Sequence, residues 1–308
     1  MSYEIKTPYV HIDIPLRAIG LALISYFLLT LMNMIAKLLV EDHHIIEIAF
    51  YRNVVSVLPL LGYILVTRQH HLFKTKKPKA LAARAIIGTI SLMMTFWAFA
   101  LLPMAETTVL LFTASLIIPA LGYFVLQERV GIHRWSAIII GFFGVLAIVG
   151  LKGFSGTWLG IGVAITAALM HASLALLLRF MKTESPITIT FYFVLTGMVM
   201  TGVCMPFVAS VPSTFNLFLL ICTGIAGGIA QFCLTAAIKY APIALTAPIS
   251  YTGLVWATGF DIVIWHVVPG WPVFAGAFIV ISANLYVIYR EHKKNKRVTI
   301  DENVMAGE

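Results

Sequence analysis

The sequence predicts an all-α polytopic membrane protein of ten transmembrane helices, arranged as two inverted five-helix repeats with both termini cytoplasmic. Three observations lead there. Of 308 residues, 60% are hydrophobic and 11% charged, with a mean hydropathy of +0.95; a soluble domain carries about 25% charged residues. Apolar runs near the ~20 residues that cross a bilayer as a helix recur ten times. Lysine and arginine collect in alternate connections between those runs. The composition excludes a soluble enzyme, a secreted disulfide scaffold and a one-pass receptor with a large ectodomain. It also makes the net charge of +8 a topology signal rather than a sign of nucleic-acid binding.

The runs cover residues 16–40, 46–67, 81–102, 104–126, 133–150, 158–180, 187–209, 215–239, 242–265 and 271–289. Their separators carry residues that interrupt helices: Pro103 between the third and fourth, Gly131 before the fifth, and Gly153 to Gly156 before the sixth. Pro186, Pro212, Pro242 and the Pro269–Pro272 stretch open the last four. Extended polar sequence occurs only at 68–80 and after Tyr289, which leaves no room for a soluble domain. The N-terminus has no basic region, short apolar core and small-residue cleavage site, so the first run is expected to remain in the mature protein. Cys204, Cys222 and Cys233 lie in apolar runs without metal-ligand spacing and read as packing residues.

Orientation follows from the positive-inside rule. With the N-terminus inside, 18 of the 21 Lys and Arg residues fall on the cytoplasmic side, Lys152 alone lies outside, and Lys37 and Arg52 sit within runs. Ten runs divide into five plus five, and an odd-numbered repeat must be inverted. A shift of 139 residues superposes Gly88 on Gly227, Pro103 on Pro242, Ala105 on Ala244, Thr107 on Thr246 and Gly131 on Gly270. The expected division is residues 1–150, 151–290 and a polar cytoplasmic tail at 291–308.

Polar residues recur at helical spacing in four runs. They are Tyr26, Thr30, Asn33 and Lys37 in the first, and Thr108, Ser115, Pro119 and Gly122 in the fourth. The eighth carries Gly224, Gly227, Gln231 and Thr235, and the ninth Thr246, Ser250, Gly253, Ala257 and Asp261. Such stripes either line a water-accessible cavity or let helices pack closely through small residues. Lys37, Gln231 and Asp261 favour the cavity, since packing alone does not require them. Arg52 beside Glu47 reads as a substrate-anion or gating contact, or as an arginine that snorkels to headgroups or pairs with an acid. His171 reads as a proton relay or as a neutral hydrogen-bonding residue. Glu106 and Asp261, both near the outer face, read as proton-coupling or as solvated carboxylates, and Glu128 as a helix-end anchor. Trp97, Tyr251 and Trp256 lie far enough from run ends to stack on a planar solute, or to serve as packing. Lys37 and Arg52 against few buried acids suggest an anionic or zwitterionic cargo.

No phosphate-binding GxxxxGK[ST] loop, nucleophile elbow or HExxH is present, which argues against ATP-driven transport by this chain alone. No cofactor is expected. Gly141, Gly144 and Gly276 suit a homodimer contact or packing within one subunit.

Several strings resemble the EamA-type family of the drug/metabolite transporter superfamily. They are EIAFYR at 47–52, AFALLPMAETTVL at 98–110, PALGYFVLQERVG at 119–131 and AIKYAPIALTAPISYTGLVWA at 237–257. The resemblance spans about residues 16–290. It implies ten helices in two inverted repeats, a central cavity and alternating access, in a permease of the bacterial inner membrane for small polar or amphipathic metabolites. Amino acids, nucleoside derivatives, vitamins and drugs are the classes implied, and APISY at 247–251 resembles S-adenosylmethionine importers of the superfamily. The chain departs from the pattern where Val267 occupies the position matching Glu128 at the 139-residue shift, which puts symmetric acidic helix ends in doubt. The expected solute contacts are Tyr26, Asn33, Lys37, Trp97, Ser115, Gln231, Ser250, Tyr251 and Trp256, with Arg52, Glu106, His171 and Asp261 as coupling or gating groups. Expected partners are the small-molecule substrate, the lipid bilayer and protons, with no nucleic acid. The rival readings are a non-transporting sensory or structural subunit and an intramembrane enzyme; the latter lacks a convergent His, Asp or Glu cluster.

Overall fold

The computed structural model describes residues 15–127, 132–150, 157–181, 184–240, 247–286 and 289. Among them the chain forms ten α-helices and no strand. These are α1 (Pro15–Leu39), α2 (Ile45–Val66), α3 (Pro78–Leu101), α4 (Met104–Leu126), α5 (Ile132–Gly150), α6 (Trp158–Phe180), α7 (Pro186–Val208), α8 (Thr214–Tyr240), α9 (Thr252–Ile264) and α10 (Trp271–Tyr286). Short 3-10 turns cover His70–Phe73 and Ala247–Tyr251. Seven helices, α1 to α4 and α6 to α8, are long and apolar enough to cross a membrane. Phe142, Phe207, Phe218 and Phe278 stand out from the bundle, a surface that water would penalise and lipid solvates. The chain is a multi-pass membrane protein.

Local chemistry sets the helix ends. Pro78 and Pro186 occupy first-turn positions, where a missing N–H costs no helical hydrogen bond. The Thr157 hydroxyl accepts the Gly160 amide at 3.1 Å to cap α6, and His44 Nδ1 accepts the Ile46 amide at 3.2 Å to cap α2. Gln127 closes α4 in the left-handed region, φ 54°. Pro59, Pro119 and Pro206 lie inside helices, as membrane helices tolerate when neighbours satisfy the freed backbone groups.

One expected element differs. In place of a continuous helix over 242–265, the ninth segment has a 3-10 turn, Ala247–Tyr251, and then the 13-residue α9. Pro248 within the turn has no N–H to give an α-helical ladder. At 1.5 Å per residue α9 spans only ~20 Å, so Ser250 and Tyr251 sit at a break rather than on a helix face. Thr246 and the remainder of 241–246 lie outside the described residues, as do Glu128, Gly131 and the tail.

The helices pack as α1 on α8 and α9, α2 on α7 and α8, α3 on α6 and α7, and α4 on α5, α6 and α9. Glycines permit the closest approaches: a Cβ at Gly224 would lie 2.3 Å from Val55 Cβ. Gly141 and Gly144 are used within the subunit, where a Cβ would meet the Leu116 side chain at 2.2 Å and the Gly276 carbonyl at 3.1 Å respectively. These contacts fit the packing reading of Gly141 and Gly144.

Hydrogen bonds tie each end of the bundle. At one end the α1–α2 connection meets the α7–α8 connection. His43 Nδ1 lies 3.1 Å from Glu47 Oε2 and 2.8 Å from Ser210 Oγ, and Asn216 Nδ2 donates to Asp42 Oδ2 at 3.0 Å. At the other end the α2–α3 connection meets the α6–α7 connection. The Lys76 amide donates to Glu184 Oε1 at 2.8 Å, Thr188 to the Leu72 carbonyl at 2.9 Å, and Tyr192 to the Phe73 carbonyl at 2.8 Å. Lys77 Nζ donates to the Phe180 carbonyl.

Candidate functional site

Arg52 enters the bundle because α2 begins at Ile45 and carries it two turns inward, onto the face that packs against α7 and α8. It is 2% exposed, so it does not snorkel, and its Nη1 donates to Asn53 Oδ1 at 2.8 Å. Glu47, the acid expected as a partner, is engaged instead by His43 and Ser210. The guanidinium carbon lies 5.4 Å from the Phe193 ring centroid. Buried Arg52 Nε has no hydrogen-bond partner. Gly227 makes room for it: a Cβ there would lie 3.0 Å from Arg52 Nε and 2.7 Å from Met32 Sδ.

These residues border a narrow, partly open cleft of about 20 Å³ between α2, α7 and α8, lined by Arg52, Ser56, Thr190, Gly227, Gly228 and Gln231 among others. Ser56 Oγ donates to the Gly224 carbonyl at 2.8 Å, which leaves its lone pairs available. The cleft thus joins Arg52 and Gln231, expected in different roles, beside the glycine stripe of α8.

A second arginine stands behind the same ring. Arg84, one and a half turns into α3, places its guanidinium carbon 5.0 Å from the Phe193 centroid. It fits because Gly88 has no side chain, since a Cβ there would meet Arg84 Nη1 at 2.5 Å and Phe193 Cδ2 at 2.9 Å. Arg84 Nε and Nη1 are buried without hydrogen-bond partners. His171 on α6 interacts electrostatically with Arg84. A cation at a membrane-helix centre costs about 2.5–3.5 kcal/mol, whereas a ring face returns about 0.5–2 kcal/mol. Sequence reasoning missed Arg84, which counted only towards cytoplasmic charge, and Phe193, one of 20 phenylalanines.

The stripes of α1, α4 and the ninth segment converge at a separate polar patch. Tyr26 is hydrogen-bonded to Ser250, and Tyr251 to Ser115 and Asn284. Phe112 meets the Tyr251 ring edge-on at 5.0 Å, and Trp256 meets Phe27 edge-on at 5.1 Å. Several stripe hydroxyls are spent on their own helices: Thr30 on the Tyr26 carbonyl at 2.8 Å and Thr108 on the Met104 carbonyl at 2.7 Å. Asn33 Oδ1 is buried without a hydrogen-bond partner. Trp97 packs against the apolar cluster around Leu102 and Ala105.

Lys37, Glu106 and Asp261 form a third group where α1, α4 and α9 end together. Asp261 Oδ1 accepts the Met104 amide at 2.9 Å and Oδ2 the Ala105 amide at 2.8 Å, capping α4 from a distant helix. Lys37 Nζ donates to the Leu102 carbonyl at 2.6 Å and lies 4.8 Å from the Trp265 ring centroid. It also interacts electrostatically with Asp261 and Glu106. The four stripes thus resolve into a cationic cleft, a tyrosine–serine patch and a charged helix-end cluster. No group of three or more His, Cys, Asp or Glu side chains that could hold a metal occurs among the described residues.

The model of the EamA-like transporter family matches residues 16–150 and again 158–289. A S-adenosylmethionine uptake transporter of Rickettsia prowazekii is 30% identical over 281 residues, covering 88% of this chain and 93% of that protein. A pseudopaline exporter of Pseudomonas aeruginosa is 24% identical over 277 residues, covering 88% and 96%. The fold recurs in a crystal structure of another protein with a TM-score of 0.62 at 17% identity, over 88% of this chain and 94% of that one. The chain belongs to the EamA-like transporter family of the drug/metabolite transporter superfamily and is a membrane transporter of small metabolites.

Proposed function

We propose that the chain is a secondary permease that works by alternating access, rocking two inverted repeats, residues 1–150 and 151–290, about a site between them. The observation that carries this is the packing pattern. Advancing each helix by five places, cyclically, turns α1–α8 into α3–α6, α2–α8 into α3–α7 and α4–α6 into α1–α9, while α2–α7 and α4–α9 return to themselves. Every one of these pairs packs together. A two-fold relation between the halves produces such an exchange, and the two separate family matches support it. The charge distribution supports cytoplasmic termini, including the tail at 291–308, and the bacterial relatives support the inner membrane.

The cleft at Arg52 and Gln231, together with the separate Tyr26, Ser115, Ser250 and Tyr251 patch, supplies solute contacts; Asn33, Lys37, Trp97 and Trp256 complete the expected set. Arg52, Glu106, His171 and Asp261 supply gating or proton coupling. The cargoes for which these relatives are named, S-adenosylmethionine and pseudopaline, favour a polar metabolite. The test is a thermal-shift screen of the full chain in detergent, followed by counterflow in proteoliposomes. A solute at ~100 times its dissociation constant stabilises the folded state by ~2.7 kcal/mol. A saturable shift and exchange of the same solute support the reading; a folded chain that exchanges none of a broad metabolite panel overturns it.

A further inference from the structure

The guanidinium groups of Arg52 and Arg84 lie 5.4 and 5.0 Å from one aromatic ring, that of Phe193. Arginine stays protonated in any protein environment, so both are cations. Among the described residues neither arginine forms an ion pair with a carboxylate. Arg52 Nε, Arg84 Nε and Arg84 Nη1 point to no protein acceptor although they are buried. Arg52 lines an open cleft beside Ser56, Thr190 and Gln231. His171, which faces Arg84 from α6, brings no negative charge, and Lys37 is committed to the Leu102 carbonyl and the acids near it. Among the described residues, two cations with spare, fork-shaped donors and no paired acid match the geometry of an anion.

We propose that Arg52 and Arg84 recognise carboxylate on the transported solute, so that the cargo is a net-negative organic acid. This rests on the permease reading above. Arg52 takes the carboxylate in the cleft. Arg84, held behind Phe193, keeps the local potential positive and excludes solutes of net positive charge. S-adenosylmethionine, with an ammonium and a sulfonium against one carboxylate, is net positive and is disfavoured at such a site. The proposal therefore separates this chain's cargo from that named for its Rickettsia relatives.

The experiment uses the full chain in detergent with succinate as probe, and S-adenosylmethionine, putrescine and phosphatidylglycerol as comparison ligands. Succinate is expected to raise the unfolding midpoint saturably, more so at low salt. Arg52→Gln is expected to weaken succinate at least 10-fold, Arg84→Gln several-fold, and Arg52→Lys less than Arg52→Gln, because charge remains while the fork is lost. Circular dichroism and elution profiles check that each variant folds, and selectivity of the unmodified chain needs no variant. Stabilisation by S-adenosylmethionine or putrescine with none by succinate overturns the proposal. Stabilisation by phosphatidylglycerol alone also overturns it, assigning the arginines to a lipid phosphate. Succinate binding that survives both glutamine substitutions overturns it as well. Counterflow separates the two levels: exchange of a cationic solute keeps the permease and removes this inference, whereas succinate binding without exchange of any solute does the reverse.

Discussion

Asp261 and Ala105, 156 residues apart in the chain, are joined by a 2.8 Å hydrogen bond in which the carboxylate of α9 accepts a first-turn amide of α4. The second carboxylate oxygen accepts the Met104 amide, so one buried side chain closes two orphan donors of another helix. Hydrogen bonds to charged groups are worth about 1.5–3 kcal/mol. Asp261→Ala is expected to lower the thermal midpoint markedly, and Asp261→Asn to lower it less, since the amide keeps one acceptor. Should Asp261→Ala leave the midpoint unchanged but abolish the pH dependence of transport, the residue would be a proton-coupling group rather than a cap.

Lys37 belongs to the same cluster through the Leu102 carbonyl and the Trp265 ring. Groups in one network couple by about 0.5–3 kcal/mol in a double-mutant cycle. The stability losses of Lys37→Met and Asp261→Asn are therefore expected to be non-additive, the pair losing less than the two singles together. Additive losses in thermal unfolding would mean that the lysine and the aspartate serve separate structures.

Run lengths and breakers made the helices legible: α4 and α6 occupy the stretches that Pro103 and the glycine-rich connector delimit in the sequence. The ninth segment misled because hydropathy measures burial, and a 3-10 turn at Pro248 is as apolar as a helix. Stripe reasoning identified inward faces but not their neighbours. Tyr26 and Ser250 do meet, whereas Gln231 joins Arg52 on α2, a helix with no stripe assigned. Arg84 was hidden by its place near a helix end, where basic residues ordinarily report topology. Its burial depends on Gly88 and Phe193, two residues that carry no charge signal of their own.

Two adjacent glycines of α8 give an internally controlled test of the cleft. A Cβ at Gly227 would lie 2.7 Å from Met32 Sδ and 3.0 Å from Arg52 Nε, whereas at Gly228 the nearest atom, Ser56 Oγ, is 3.4 Å away. Overpacking costs about 1–3 kcal/mol. Gly227→Ala is expected to displace Arg52 and weaken solute binding roughly 5- to 150-fold on that scale, and Gly228→Ala to leave it within about 3-fold, since 3.4 Å is ordinary contact. Equal effects of the two substitutions in a titration would remove Arg52 from the site.

Alternating access requires one end of the bundle to open, so the network joining the α1–α2 and α7–α8 connections must break in each cycle if it lies on the solute path. Glu47 is fully buried there, its Oε2 3.1 Å from His43 Nδ1 and accepting from Ser210 Oγ at 3.0 Å. Removing one partner of a buried ion pair costs about 3–5 kcal/mol, because the other charge stays behind; a hydrogen bond donated to a carboxylate is worth about 1.5–3 kcal/mol. His43→Ala is therefore expected to lower the unfolding midpoint below that of Ser210→Ala. The double variant His43→Ala/Glu47→Leu should recover part of the loss, because it removes the stranded carboxylate as well. A Ser210→Ala penalty equal to that of His43→Ala would mean that the hydroxyl, not the imidazole, holds Glu47, and the end would be fastened by the α7–α8 connection alone.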